Sequence, residues 1–269
     1  MQKKPLSSCN ALFAGLLMAL ASTASAEEKD VIVTDRPDFV ESSEVVGTGR
    51  FQAEVGIAIE RTRRDTTKTH TMTTPVLLRI GTGATWELRV ETDGRLVQHS
   101  DDLTQGTRTT DRGYADTSIG AKWHVVDGNG TSPSVGVLAH VDIDNGSAPF
   151  RGSGLRPSLR AVAEWDLPAG LSLGVMPGLT FDKDQNGKRS WNGIFATTLG
   201  KSLTEQTRVF TEIALPQIAR AQHGGTVATL DFGIAHLLSP KWQIDMAFYK
   251  GLNKNTADLT WTAGLSSKF

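Results

Sequence analysis

Residues 51–60 read FQAEVGIAIE, a run in which every second side chain is apolar and its neighbours are polar or small. Phe51, Val55 and Ile59 fall on one side of this run, because successive side chains of a strand point to opposite faces. Glu54 and Glu60 fall on the other side. The run therefore predicts a β-strand with one apolar face and one polar face.

The same alternation recurs to the end of the chain, which predicts about twelve strands, an even number as expected of a single-chain barrel. The further runs are residues 74–80, 86–95, 115–125, 135–143, 155–165, 171–181, 191–199, 209–213, 228–234, 242–248 and 259–269.

The predicted connections alternate in length. Short ones lie at 81–84, 127–132, 168–170, 204–206 and 239–240, and longer polar ones lie at 61–70, 96–112, 145–154, 182–190, 216–225 and 253–258. Short turns on one rim and longer loops on the other are typical of outer-membrane barrels, whose short turns face the periplasm. We therefore predict an all-β fold, a single antiparallel transmembrane β-barrel over residues 49–269.

A soluble β-sandwich also alternates and is the alternative fold. Runs of about 9 to 11 residues favour the barrel, because a tilted transmembrane strand needs that length. Aromatic residues near the run ends favour it as well, since such rings lie at the depth of the lipid headgroups. These residues are Trp86, Trp123, Trp165, Trp191, Trp242, Trp261 and Phe269.

The first residues carry the features of an export signal. Lys3 and Lys4 precede an apolar stretch at 11–21, and Ala24-Ser25-Ala26 resembles a cleavage site. Residues 1–26 are predicted to be a cleaved signal peptide. Cys9, the single cysteine, falls within it, so disulfides and cysteine nucleophiles are not expected in the exported chain.

Residues 27–48 lack clean alternation and form a predicted periplasmic N-terminal segment. They carry Asp35, Arg36, Asp38, Glu41 and Glu44 around a proline. Two arrangements stay open for this segment: it folds back into the lumen as a plug, or it lies disordered at the periplasmic rim. The formal charge of −1 gives no indication of nucleic-acid binding.

Three stretches resemble a known family. They read TDRPDF at 34–39, GRFQAEVG at 49–56 and GYADTSIGAK at 113–122. They are similar to the outer-membrane family labelled "putative meta-pathway of phenol degradation", over about residues 34–269. The resemblance implies a barrel of the transporter type, with some members linked to degradation of aromatic compounds. Phe269 also looks like the terminal aromatic that the barrel-assembly machinery binds.

The polar faces of the predicted strands give the candidate lumen residues. They are Arg79, Glu87, Arg89, Glu91, Arg95, Lys122, Arg156, Arg160, Glu164, Arg208, Glu212, Asp231 and Asp245. One interpretation is a constriction of opposed charges that selects small polar or anionic solutes. The other is a set of ion pairs that fills a closed interior. Arg89, Arg95, Arg156 and Arg160 form the preferred anion-attracting patch.

The expected function is passage of small solutes, aromatic or anionic compounds among them, through a charged lumen in the outer membrane. No catalytic residue, metal ligand or cofactor is predicted, because the sequence has no nucleophile elbow and no metal-ligand spacing of histidines. His124 and His140 with Asp142 are the one candidate small site. The alternatives are an outer-membrane hydrolase or acyltransferase and a purely structural or adhesive barrel. The expected partners are outer-membrane lipid, the assembly machinery and the solute.

Overall fold

The computed structural model describes residues 30–183 and 187–269, and Val31–Phe269 form one compact unit. The predicted signal peptide, residues 1–26, lies outside the described residues. Within the described residues, no helix combines the length and apolar character needed to cross a bilayer.

Fifteen β-segments make up the fold. They are β1 (Phe51–Arg64), β2 (Thr67–Thr73), β3 (Val76–Gly81), β4 (Trp86–Thr92), β5 (Arg95–Asp102), β6 (Thr107–Tyr114), β7 (Thr117–Val126), β8 (Ser134–Ile143), β9 (Arg156–Leu167), β10 (Leu171–Lys183), β11 (Arg189–Ser202), β12 (Thr207–Ile218), β13 (Val227–Ser239), β14 (Trp242–Gly251) and β15 (Leu259–Lys268).

All neighbouring segments pair antiparallel, and β1 pairs with both β3 and β15. This last pairing closes the sheet, so that β1, β3, β4 and β7 to β15 form a 12-strand closed antiparallel barrel. Closure leaves no unpaired edge in the barrel wall, which lipid requires of any strand that crosses it. The predicted fold class is confirmed.

The alternation read from the sequence sets the two surfaces of the wall. Ile57 and Leu88 are 52% and 50% exposed on the outside, whereas Glu54 and Arg79 are 0% exposed on the inside. Outward apolar and inward polar side chains are the arrangement of a transmembrane barrel.

Two predicted loops are strands instead, which corrects the sequence analysis. The expected loops at 61–70 and 96–112 form the end of β1 with β2, and β5 with β6. These four segments pair side by side beyond the barrel at its long-loop end; they are called the extension below. Threonines are frequent in this stretch, and β-branched residues suit strands even without an apolar face.

A register slip separates the extension from the barrel. Val76 pairs with Thr92 between β3 and β4, whereas Thr73 pairs with Leu96 between β2 and β5. One extra residue is therefore inserted near Gly94, which has a φ of 66°. A bulge of this kind exchanges the two faces of a strand, so that odd-numbered side chains point inward in β4 and outward in β5.

Candidate functional site

Residues 31–48, called the inner segment below, enter the barrel and leave it at the same end. The Ile32 N–H donates to the Pro240 carbonyl at 2.7 Å, and the Gly49 N–H donates to the Gly81 carbonyl at 3.0 Å. Both acceptors lie at short turns of the barrel. Between these points Asp35 and Ser43 are 6% and 1% exposed, because the barrel wall surrounds the segment.

Asp35 is the centre of a cluster of buried charges. The Lys122 Nζ atom lies 2.9 Å from both carboxylate oxygens of Asp35. Guanidinium nitrogens of Arg89 and Arg79 lie 2.5 Å and 3.5 Å from Asp35 Oδ2. Arg79 also contacts Glu87 at 2.8 Å. These buried cations are thus neutralised jointly by the wall and by the inner segment.

Glu41 connects two separate parts of the wall. Its carboxylate accepts hydrogen bonds from Arg89 on β4 and from Arg160 on β9, both at 2.6 Å. Charge-assisted bonds of this length are among the stronger polar contacts in proteins. The inner segment therefore cross-links the wall through its acidic side chains.

Arg36 reaches the opposite side of the barrel. It contacts Asp245 at 3.1 Å and the Thr262 hydroxyl at 2.8 Å. Gly56 and Gly264, which face each other across β1 and β15, leave the space that its guanidinium occupies. A Cβ atom on either glycine would lie within 2.8 Å of Arg36.

Wall carboxylates also satisfy backbone N–H groups of the inner segment. A segment without strand pairing would otherwise bury unpaired donors, at a cost in free energy. The pairs are Arg36 N–H with Glu54 at 3.1 Å, Phe39 N–H and Val40 N–H with Glu212 at 2.8 Å, Ser43 N–H with Glu164 at 2.6 Å, and Val46 N–H with Glu87 at 2.9 Å.

The inner segment separates two cavities. The upper cavity, at the long-loop end, has a volume of about 620 Å³, and the lower cavity, at the short-turn end, about 340 Å³. Asp35 and Asp38 line both of them. The inner segment is thus a charged partition between these two cavities.

A loop folds into the mouth of the upper cavity. Asp116 accepts hydrogen bonds from the Gly146 N–H at 2.8 Å, the Gly152 N–H at 2.9 Å and Arg156 at 2.7 Å. Burial opposes the charged form of Asp116, but these three donors outweigh it and hold the pKa of Asp116 below its ordinary value of 3.8. Residues 144–155, the mouth loop, are held by this carboxylate together with hydrogen bonds of Asn145 and Ser147 to the backbone of Thr117 and Tyr114.

The structure places most of the predicted lumen residues on the inner surface. Arg79, Glu87, Arg89, Lys122, Glu212, Asp231 and Asp245 are buried, and Glu91, Arg156, Arg160, Glu164 and Arg208 are half-buried. Arg208 contacts Asp38 of the inner segment. Asp231 accepts from the Thr229 hydroxyl at 3.0 Å.

The prediction that Arg95 faces the lumen is wrong. It is exposed and lies on β5 beyond the slip at Gly94, so it points away from the interior. The preferred patch of four arginines is therefore not assembled. Arg89 and Arg160 share Glu41, while Arg156 is neutralised by Asp116.

The candidate histidine site is not assembled either. His140 lies opposite Gly120 and His124 lies opposite Gly136, so the two rings are four residues apart along paired strands. His124 instead contacts the Ser43 carbonyl at 3.1 Å and Asp127 at 3.0 Å. Ligand atoms of Glu44, His124 and Asp127 lie within 4.8 Å of one another, but Asp127 is 92% exposed and the hydrogen bonds account for the arrangement.

Sequence reasoning missed the acidic partners of the wall cations. Asp35, Asp38 and Glu41 contact Lys122, Arg208 and Arg160 respectively. The available signal was the density of acids in residues 27–48. Their partners could not be assigned, because the contacts span more than a hundred positions for two of the three pairs.

A closed twelve-stranded barrel with an apolar outer wall and a polar, partitioned interior defines a transmembrane β-barrel protein. The chain belongs to the family described as "Putative MetA-pathway of phenol degradation", whose model matches residues 34–269. No curated protein matches the sequence.

Solved structures share the fold at low sequence identity. An outer membrane channel, COG4313, from Pseudomonas putida F1 aligns with a TM-score of 0.60 and 11% identity over 87% of this chain and 99% of that one. The β domain of the Bordetella autotransporter BrkA gives 0.53 and 10% over 81% and 99%. The KdgM porin in complex with disordered oligogalacturonate gives 0.51 and 8% over 80% and 99%.

Proposed function

We propose that this protein is a channel of the outer membrane that passes small solutes and that the inner segment closes it. The observation that carries the proposal is the pair of cavities on either side of the inner segment. A barrel built only as a scaffold gains nothing from chambers that open toward both rims. Displacing the partition would join them into one path.

The acidic lining favours cations over anions. Carboxylates outnumber cations around the upper cavity, with Asp35, Asp38, Glu41, Glu54, Glu91, Asp93, Asp116, Asp142 and Asp182 against Arg36, Arg89, Arg156, Arg160 and Lys183. Rings of charge set the selectivity of a pore. An opened channel is therefore expected to prefer cations and neutral molecules, rather than the anions suggested by the arginines alone.

The upper cavity has room for a molecule with a single aromatic ring, since ligand pockets measure roughly 300 to 1,000 Å³. Phe39 and Phe150 give it apolar surface among the charges. Together with the pathway named in the family description, this makes phenol and benzoate the first probes. Phenol is expected to pass more readily than benzoate, because the carboxylates repel an anion.

The test compares single-channel currents of the protein purified from outer membranes with those of the double variant Asp35→Ala, Glu41→Ala. Removing both acids breaks the ion pairs with Lys122, Arg89 and Arg160. The wild-type protein is expected to conduct weakly, and the variant several times more strongly, with reversal potentials in asymmetric salt that report cation preference.

The matched control removes two acids from the extension, Asp65→Gly and Asp111→Ala. Both residues are exposed, and glycine suits position 65, where φ is 46°. Unchanged currents are expected from this control. If the wild type and the double variant are both silent although heat-modifiable gel mobility shows them folded, the channel proposal is rejected in favour of a closed structural barrel.

A further inference from the structure

The outward surface of the extension carries a concentrated positive charge. Residues that lie opposite each other in paired strands present their side chains on the same face. One such row is Arg63, Lys68, Asp101 and Arg108; the next is Arg61, His70, His99 and Thr110; the third is Ile59, Met72, Val97 and Arg112. Three consecutive rows thus share one face of the sheet.

This face continues the lipid-facing wall of the barrel. Ile59 pairs with Trp261 on β15, and Ile57, two residues earlier on the same face, is 52% exposed. The third row lies at the upper limit of this apolar surface. Arg61 and Arg63 follow directly above it on β1, where a lipid headgroup layer would begin.

The opposite face of the extension has a different character. Its rows contain Glu60, Asp102 and Asp111 with threonines, serine and glutamine. Its one arginine, Arg64, contacts Asp258 at 3.0 Å. The positive charge is therefore segregated onto the outward face, which mere solubility of a hairpin would not require.

Most of the outward cations lack a carboxylate partner. Arg108 is paired with Asp101 at 2.5 Å. Within the described residues, no ion pair involves the other outward cations, which are Arg61, Arg63, Lys68 and Arg112 of the three rows and Arg95, which lies on the same face one row below them. Four of these five are exposed, and Lys68 is half-buried. Guanidinium groups in a cluster suit phosphate, which they bind through two parallel hydrogen bonds.

We propose that this outward basic patch binds the phosphate groups of the anionic glycolipid of the outer leaflet, lipopolysaccharide. The proposal rests on the outer-membrane location given under the proposed function, but not on channel activity. Acyl chains would lie against Ile57, Met72 and Trp261, which are all exposed, while the phosphates meet the arginines above them. Basic residues next to an anionic membrane surface attract its headgroups in this way.

The experiment measures binding of purified lipopolysaccharide to the detergent-solubilised protein by native mass spectrometry. The test variant is Arg61→Gln, Arg63→Gln, Lys68→Gln. The matched control is Arg151→Gln, Arg220→Gln, Lys254→Gln, which removes three exposed cations from loops at the same end of the barrel. Lipopolysaccharide stripped of its phosphates is the second probe.

The wild type and the control are expected to bind the phosphorylated lipid equally. The test variant is expected to bind it about tenfold less, since several phosphate contacts are lost at once. Stripping the phosphates should weaken wild-type binding to the same degree.

The proposal that the patch binds lipid phosphates is overturned if the test variant binds the lipid as well as the wild type does. It is also overturned if removing the phosphates leaves wild-type binding unchanged. Preference for a phosphate-free acidic polysaccharide overturns it too. Lipid binding by a protein that conducts no current would reject the channel proposal alone.

Discussion

At the scale of single residues, the space left by two glycines decides where Arg36 lies. Gly264→Val should expel the guanidinium, because even the first added carbon would lie 2.4 Å from Arg36 Nε. Asp245 then loses its buried partner, which typically costs about 3 to 5 kcal/mol. Urea unfolding of the detergent-solubilised barrel should show this loss.

Gly83→Val is the control for that substitution, since nothing lies within 4 Å of a Cβ atom at position 83. A second variant separates the clash from a general effect on β15. Gly264→Val should cost less in the Arg36→Ala background than in the wild type, because only the Asp245 carboxylate oxygen, 2.7 Å from the added Cβ atom, then still has to move. If the losses in the free energy of unfolding caused by Gly264→Val and Arg36→Ala are fully additive, Gly264 does not provide the space that Arg36 occupies.

Residue types could be assigned to faces from the sequence, whereas their partners could not. Glu87, Arg89 and Lys122 were placed inward by alternation alone, and they are buried. Their contact with Asp35 depends on how the inner segment turns inside the barrel, which no periodicity describes. The inward assignment of Arg95 failed because one inserted residue reverses the faces that alternation assigns.

At the scale of elements, the mouth loop should respond to acid. The pKa of Asp116 is lowered in the folded protein from an ordinary value of 3.8, so its ionised form stabilises the docked loop. That contribution is complete above the ordinary pKa and disappears as pH falls through the lowered one. A spin label at Ser153→Cys should therefore be immobile at neutral pH and stay immobile down to pH 3.8, and it should become mobile only at lower pH, where Asp116 is protonated.

Asp116→Asn provides the comparison, because an amide cannot titrate and accepts fewer hydrogen bonds. The label should be mobile at all pH values in this variant. A label that stays immobile in Asp116→Asn at neutral pH would show that other contacts hold the loop.

Strand existence was readable from the sequence, but the extent of the strands was not. The runs at 51–60 and 242–248 correspond to β1 and β14. The extension escaped notice because most of its strand residues lie beyond the apolar wall of the barrel and so carry little apolar alternation. Its threonines and arginines look the same in a loop as in a solvated sheet.

At the scale of the whole molecule, the position of the inner segment should control conduction reversibly. The hydroxyls of Ser43 and Ser134 lie 2.7 Å apart, so cysteines at both positions can form a bridge between the inner segment and β8. Oxidation is expected to abolish the openings seen in the reduced protein. Ser43→Cys alone should not respond to reductant, and a response there would point to another target.

Both ends of the inner segment lie at the short-turn rim, as the bonds at Pro240 and Gly81 fix. The segment is therefore a re-entrant loop and does not pass through the barrel from one rim to the other. It can be withdrawn without opening the closed wall. A pull on residue 31 from the periplasm would load Ile32, then Arg36, then Glu41, one contact after another. Sequential rupture needs far less peak force than simultaneous rupture. Withdrawal toward the short-turn rim would thus break the contacts of the inner segment in sequence and leave the barrel wall closed.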